Sequence, residues 1–369
     1  MVSPLTLTIH RTGLMNHTKY DAERQIASID GGALWKNVYS DLEPYGVTAP
    51  GGRTATVGVG GFTLGGGNNF YSGKVEFACD NVVNYEVVLA NGDIVEANSE
   101  QNQDLWKALK GGSSNFGMVT RFDMQAFEAN DIYGGLVTHP LSATDEVIAA
   151  FSNFVDNIEN YQGGSCFSFW SWVVGSDQTV INSALHDTTG AIAAPAYAEY
   201  AEIEPRIQSS LRLASQLNMT VELEFQKGFQ NVWLAITVKD DPTILHLRAA
   251  QRLHLSILFD HGVAQGGNVL GMDRQAGNCV LFQVFMVFTG ASLEPEARRR
   301  MVAYRETVKG QSVRTGTDVE FEYLNYADKT QTPLETYGED NIAFMRAVAA
   351  KYDPQQILRA RMSGGFKLP

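Results

Sequence analysis

Gly51 to Gly67, reading GGRTATVGVGGFTLGGG, restricts this chain more than any other stretch. Eight of its seventeen residues are glycine, and the others are small, β-branched or apolar apart from Arg53. Ordering glycine costs more backbone entropy than ordering any other residue, so this density needs a reason. The usual reason is close approach of backbone N–H groups to something flat or anionic. A dinucleotide fingerprint G-x-G-x-x-G starting at Gly58 requires glycine at position 63, where the chain has Thr63. A P-loop ending at Gly73-Lys74 requires glycine where Asn68 stands and Ser or Thr where Val75 stands. A flexible linker would not carry the interleaved apolar residues Val57, Val59, Phe62 and Leu64. The stretch reads as a backbone-approach loop of neither common nucleotide fold.

The rest of the chain bounds the partner. With 369 residues, 44% hydrophobic and 19% charged, it is long enough for two domains or one large one with a full core. A formal charge of −13 argues against nucleic acid or an anionic membrane, which are bound through clustered Lys and Arg. No apolar run approaches the ~18 residues of a membrane span. The opening MVSPLTLTIHRTGLM has no basic leader region, so it does not read as a signal peptide, and the compartment stays undetermined. Cys79, Cys166 and Cys279 are too few and too scattered for a disulfide framework or a metal site. His246 and His254 lie ~12 Å apart along a presumed helix, too far for one ion.

Taken in order, Leu5, Leu7 and Ile9 alternate as a strand, and Ile26–Ile29 forms a second, ended by Asp30-Gly31-Gly32. Ala33 to Leu42 reads as a helix stopped at Pro44-Tyr45-Gly46. Residues 84–95 read as a hairpin about Asn91-Gly92. Ser99 is placed to cap a helix running to Leu109, and residues 115–122 lead into a strand. Beyond residue 129 the style changes. Helices over 142–160, 206–217, 242–258 and 294–309 alternate with aromatic strands over 165–174 and 279–288, which suggests an antiparallel sheet covered by helices on one side. A last helix spans 337–351. The fold class is α+β.

Five motifs now coincide in order: VGVGGFTLGGG (57–67), CDNVVNYEVVLANGDIVEAN (79–98), DLWKALKGGSSNFGMVTRF (104–122), YLNYAD (323–328) and KYDP with GGF (351–366). Together they resemble the FAD-linked oxidoreductases of the berberine-bridge-enzyme-like family, within the vanillyl-alcohol-oxidase or PCMH-type flavoprotein superfamily. The resemblance covers nearly the whole chain. It implies a PCMH-type FAD-binding domain over 1–128, an inserted substrate domain over 129–318, and a segment over 319–369 returning to the first. It also implies that Gly52, Thr54, Thr56, Gly58, Gly60, Gly61, Gly65 and Gly66 lie along FAD. Asn115, Phe116, Gly117 and Val119 would add backbone contacts. Tyr323, Asn325 and Tyr326 would sit near the isoalloxazine ring, with Tyr323 and Tyr326 as catalytic groups.

Three departures qualify the resemblance. Relatives carry a further N-terminal FAD lobe with a pyrophosphate loop and a histidine that often links to the flavin. The chain as given begins after that lobe, and neither His10 nor His17 sits in such a loop. Some relatives have a cysteine where this chain has Thr54, so FAD, if bound, is expected to be non-covalent. Many have a tyrosine where this chain has Val75, which removes one candidate acid or base.

The expected activity is removal of a hydride from an alcohol, amine or C–H carbon of a small organic molecule, with a tyrosine as base and molecular oxygen as electron acceptor, plausibly in secondary metabolism. The alternatives are a truncated member that binds FAD weakly or not at all, as a non-redox cyclase-type catalyst or an inactive protein, and a sequence whose true start lies upstream. Trp170 and Trp172 share one strand face, as do Phe282 and Phe288; either pair lines a substrate pocket or packs as core. Asp328 supports the tyrosines or sits in an exposed turn.

Overall fold

Alternation of apolar and polar residues builds the first sheet. The computed structural model describes residues 14–173, 178–221, 261–274, 279–283, 294–362 and 364–369. In it β1 (Thr18–Asp21) and β2 (Ile26–Asp30) precede α1 (Trp35–Leu42), and β3 (Val47–Thr48) leads into the glycine stretch. There follow α2 (Val59–Leu64), α3 (Ser72–Val75), β4 (Val82–Val88), β5 (Ile94–Asn98), α4 (Gln103–Leu109) and β6 (Met118–Gln125). Five strands align as β1-β2-β6-β4-β5, each pair antiparallel. Ile29, Tyr85, Val87 and Phe122 carry the buried face. Against it α1 sets Trp35, Val38, Tyr39 and Leu42, all buried at helical spacing. The hairpin turns at Asn91-Gly92, where Gly92 takes φ +91°.

A second antiparallel sheet follows. After β7 (Phe127–Glu128), which pairs β3, come β8 (Ile132–Pro140), α5 (Thr144–Asp156), β9 (Gly164–Val173), β10 (Gln178–Asp187), α6 (Ala198–Glu202), β11 (Gln208–Ser209) and β12 (Arg212–Ala214). Its order is β11-β8-β10-β9, with β12 also on β8. Val137, Ile181 and Leu185 of the strands pack with Val147 and Ala150 of α5 and Tyr200 of α6, so the helices cover one face. Phe70, Tyr71 and Val75 join Ile132, Ala214 and Met219 in a smaller cluster. The later helices are Glu294–Thr315, Glu339–Tyr352 and Ile357–Arg361. Val269, Leu270, Tyr323, Leu334, Tyr337, Met345 and Leu368 return to the core of the first sheet.

Several local expectations need correction. The glycine stretch is not all loop. Val59, Thr63 and Leu64 share a buried face at helical spacing and draw 59–64 into α2 despite Gly60 and Gly61. Ser99 does not cap α4, which starts at Gln103, because the Asn98 side chain takes the amides of Glu100 and Gln101 at 2.9 Å each. The helix expected over 206–217 is instead extended at 208–209 and 212–214. The β8 edge claims its backbone, through Ile207 N–H to Thr138 O at 2.8 Å and Ser210 N–H to Leu136 O at 2.9 Å. Of the strand expected over 279–288, residues 279–283 carry no strand, and the rest lies outside the described residues. The strand at 5–9 and the helix at 242–258 also lie outside them.

Candidate active site at the glycine segment

The glycines of the opening stretch divide into two groups by what a side chain would meet. At Gly51 and Gly52 a Cβ would enter the Trp35 indole, 2.0 and 2.7 Å from its nearest atoms. At Gly65 it would lie 2.0 Å from Asn325 Oδ1, and at Gly67, whose φ is +95°, 2.6 Å from the Ala78 Cβ. These glycines let the fold close on itself. Gly58 and Gly61 are different: nothing lies within 4 Å of the added atom, and both are exposed together with Thr56. Gly60 would meet only the Gly31 carbonyl, at 3.0 Å. One side of α2 is therefore bare backbone. The segment is pinned from behind by Trp35 N–H to Val57 O at 3.0 Å and Val59 N–H to Ala33 O at 2.9 Å.

The C-terminal segment locks onto the other end. The Tyr323 hydroxyl accepts N–H bonds from Gly67 at 2.9 Å and Asn68 at 2.8 Å, and the Asn325 amide at 3.2 Å. Asn325 Nδ2 also donates to Phe62 O at 2.9 Å. Burial first, then the adjacent Tyr326 phenol, pushes the Tyr323 hydroxyl well above its ordinary range. Tyr326 is half-buried, edge-on to Tyr323 with ring centroids 4.9 Å apart, and its hydroxyl accepts from Arg53 Nη2 at 3.1 Å. Asp328 is engaged by Arg298 and Thr330 rather than by the tyrosines.

Arg53 reaches the second sheet. Its guanidinium lies 5.0 Å over the ring of Phe167 on β9. Phe167 stacks on Phe169, and His186 of β10 lies between Phe70 at 4.8 Å and Phe167 at 6.5 Å. His186 is fully buried, with neither ring nitrogen hydrogen-bonded. Burial, helped by the Arg53 charge, lowers its pKa to about 3 and keeps it neutral. Strand alternation puts Phe167 and Phe169 on the face opposite Cys166 and Trp170. Trp170 packs with the helix-covered core and donates weakly to Thr144, so it faces away from Arg53. The Trp172 side chain and Phe288 lie outside the described residues, and Phe282 is exposed near Tyr304.

A model of the FAD binding domain matches residues 5–98. The chain is 35% identical over 379 residues to the FAD-dependent monooxygenase sdcF of Emericella nidulans, across 96% of this chain and 79% of that protein. The chain belongs to this FAD-linked flavoprotein family. A second relative, the FAD-dependent monooxygenase drtC of Aspergillus calidoustus, is 34% identical across 96% of this flavoprotein and 72% of its own length. The PCMH-type fold is shared with solved structures. With 6-hydroxy-D-nicotine oxidase of Arthrobacter nicotinovorans the TM-score is 0.69 at 18% identity, covering 96% of this chain and 81% of that one. With BBE-like 1 of Physcomitrella patens it is 0.67 at 18%, covering 93% and 78%.

Within the flavoprotein Asn115, Phe116, Gly117 and Val119 do not converge on the glycine segment. Val119 of β6 lies against Gly31: a Cβ on Gly31 would lie 2.5 Å from Val119 O, and Gly31 N–H donates to Thr120 O at 2.8 Å. Asn115 is turned to the chain end, donating to Gly112 O at 2.8 Å and Phe366 O at 3.0 Å and accepting from Leu368 N–H at 3.3 Å. Phe116 is core, and Gly117 is required where a Cβ would lie 2.3 Å from Val87. Sequence reasoning missed Arg53, Phe167 and His186 as a group. The available signal was one cation inside seventeen otherwise uncharged residues. Among the described residues there is no group of three His, Cys, Asp or Glu able to hold a metal, and no helix long and apolar enough to cross a membrane.

Proposed function

We propose that this chain is an FAD-dependent oxidoreductase of a small organic substrate, with molecular oxygen as the electron acceptor or co-substrate, as the name monooxygenase implies for its relatives. The observation that carries the reading is the bare backbone of Gly58 and Gly61, held rigid by distant residues and left without any side chain of its own. Of the N–H groups that open α2, that of Val59 is taken by Ala33 O, while those of Gly60 and Gly61 have no acceptor inside the helix. The bare backbone at Gly58, Gly60 and Gly61 therefore suits close approach of a phosphate or a flat ring. Thr54, Thr56, Gly52, Gly65, Gly66, Asn115, Phe116, Gly117 and Val119 are proposed as the surrounding cradle. FAD, when bound, supplies a two-electron acceptor beside the substrate. Thr54 offers no thiol, which favours non-covalent retention.

The proposed roles of the tyrosines differ. Tyr323 is buried with three donors on its oxygen, and with Asn325 it holds the glycine segment in place. Tyr326 is the hydroxyl proposed to face the substrate and to hold or take a proton at Oη, its direction set by Arg53. The proposed units are the FAD-binding residues 1–128, the substrate domain 129–318 and the returning segment 319–369. A reading as a non-redox catalyst finds no support in relatives named as FAD-dependent monooxygenases. The test is to express the chain, denature and filter it, and record the filtrate's visible absorbance. A flavin band is expected, and oxygen uptake with a turned-over substrate should follow; a folded but colourless protein refutes the reading.

A further inference from the structure

Arg53 is a half-buried cation with no carboxylate partner among the described residues. The other half-buried arginines among the described residues meet counterions. Arg121 is bound to Glu86, Glu96 and Asp123, Arg298 to Glu294 and Asp328, and Arg305 to Glu306 and Glu322. Arg274 and Arg314 also show no carboxylate, but they are exposed; of the described half-buried arginines Arg53 alone lacks one. One Nη of Arg53 is taken by the Tyr326 hydroxyl, and the plane is supported by the Phe167 ring, an arrangement that fixes the guanidinium while its other N–H groups meet no acceptor among the described residues. The nearby imidazole of His186 is sealed between two aromatic rings and stays neutral, so the positive field at this corner is that of Arg53.

We propose that Arg53 and the Tyr326 hydroxyl, set over Phe167, form a subsite for a planar carboxylate carried by the substrate. The inference rests on the reading of this region as a flavin-linked substrate site, and it adds a substrate class to it. A guanidinium fork matches the two oxygens of a carboxylate and binds them more strongly than a neutral group. Phe167 lies under the fork, and Phe169, stacked on Phe167, extends an aromatic face suited to a conjugated or aromatic body behind the acid.

Isothermal titration of the full chain, with whatever FAD it retains, against benzoate and against its neutral analogue benzamide tests the subsite. Benzoate is expected to bind at least tenfold more tightly, roughly the share of one charge-assisted hydrogen bond. Arg53→Met should weaken benzoate on the order of tenfold to a hundredfold and leave benzamide unchanged. Arg53→Lys should fall between, because it keeps the charge and loses the fork. Equal binding of the two probes by the unaltered chain, binding of neither, or undiminished benzoate binding by Arg53→Met overturns the proposal. If Arg53→Met shifts the flavin midpoint potential while benzoate affinity holds, the arginine serves the cofactor and the proposal also falls. Should Arg53→Met not fold, the probe comparison on the unaltered chain and on Arg53→Lys decides. A colourless chain that still prefers benzoate keeps the subsite and refutes only the redox reading.

Discussion

At the scale of single residues, the two groups of glycines make opposite predictions. Gly61 is helical and exposed with open space around it, so Gly61→Ala should leave the folded chain as stable or up to ~1 kcal/mol more stable. If FAD lies on α2 as proposed, the same methyl would stand between them and FAD content should fall. Gly65→Ala should do the reverse of stabilising: its methyl collides with Asn325 and Leu324, at a cost of ~1–3 kcal/mol. Thermal melts beside flavin release measure both, and equal FAD retention in Gly61→Ala and the unaltered chain would remove α2 from the cofactor site. The tyrosines separate in the same way. Tyr323→Phe strips the acceptor from the Gly67 and Asn68 amides, costing ~1–3 kcal/mol and loosening the flavin. Tyr326→Phe should keep both the melting temperature and the FAD while lowering turnover; normal kcat in that variant would exclude it as the proton-handling group.

Between elements, a buried polar clamp joins α3 and α4 to residues 261–270. Glu76 accepts the His261 amide at 2.7 Å and the Gly262 amide, Asp80 accepts from Asn268 at 2.9 Å, and Lys110 donates to Gln265 O at 2.7 Å while lying 3.7 Å over the Trp106 ring. Burial raises Asp80 to about 6 and lowers Lys110 to about 8. The signs follow from linkage. A carboxyl raised in the folded state binds its proton more readily there, so its contribution to stability falls as pH rises from ~4 to about 6. An amine lowered in the folded state costs stability at neutral pH, and that cost is relieved as pH rises from about 8 to ~10.4. Lys110→Met removes a charged hydrogen bond and should cost about 2 kcal/mol at pH 7. Below pH 6 the loss should shrink, since Asp80 then takes a proton instead of standing as an uncompensated charge. Melting curves of both proteins at pH 5 and pH 7.5 check this, and an equal loss at both would show that the two groups are not linked. None of this clamp was legible in sequence, because Cys79-Asp80 and Lys110 look like ordinary members of a strand entry and a helix end. The hairpin about Asn91-Gly92 and the strand Ile26–Asp30 were legible, since local turn chemistry and alternation specify them. The edge strands at 208–214 were not, because Ile207, Leu211 and Ala214 recur at a helix period and only the open edge of β8 decides otherwise.

Across the whole molecule, one core is written at both ends of the described chain. Ala27, Ile29, Trp35, Tyr85 and Phe122 share a single cluster with Tyr323, Leu324, Leu334, Tyr337, Met345, Val348 and Leu368. Five ordered motifs made this closure readable as a family plan, with the YLNY segment returning to the glycine stretch. The meeting of Arg53 with Phe167 was not readable, because it depends on which face of β9 turns inward, and both faces carry aromatic residues. The closure also sets a stability argument. Each fully buried large apolar side chain contributes ~1.5–3 kcal/mol, and the seven returning residues together rival the ~5–15 kcal/mol by which a protein of this kind is stable. Their removal also uncovers the Phe77 ring, on which Tyr323 stacks. A chain ending at residue 318 should therefore lack a cooperative melt, bind a hydrophobic dye and carry no flavin, whereas a chain ending at residue 362, which sheds only the last SGGFKLP and with it Leu368 of that group, should still fold with a lowered melting temperature. A cooperative transition near that of the full chain in the 318 truncation would mean that the first sheet closes its core unaided, and that the tyrosine lock on Gly67 and Asn68 serves the site alone.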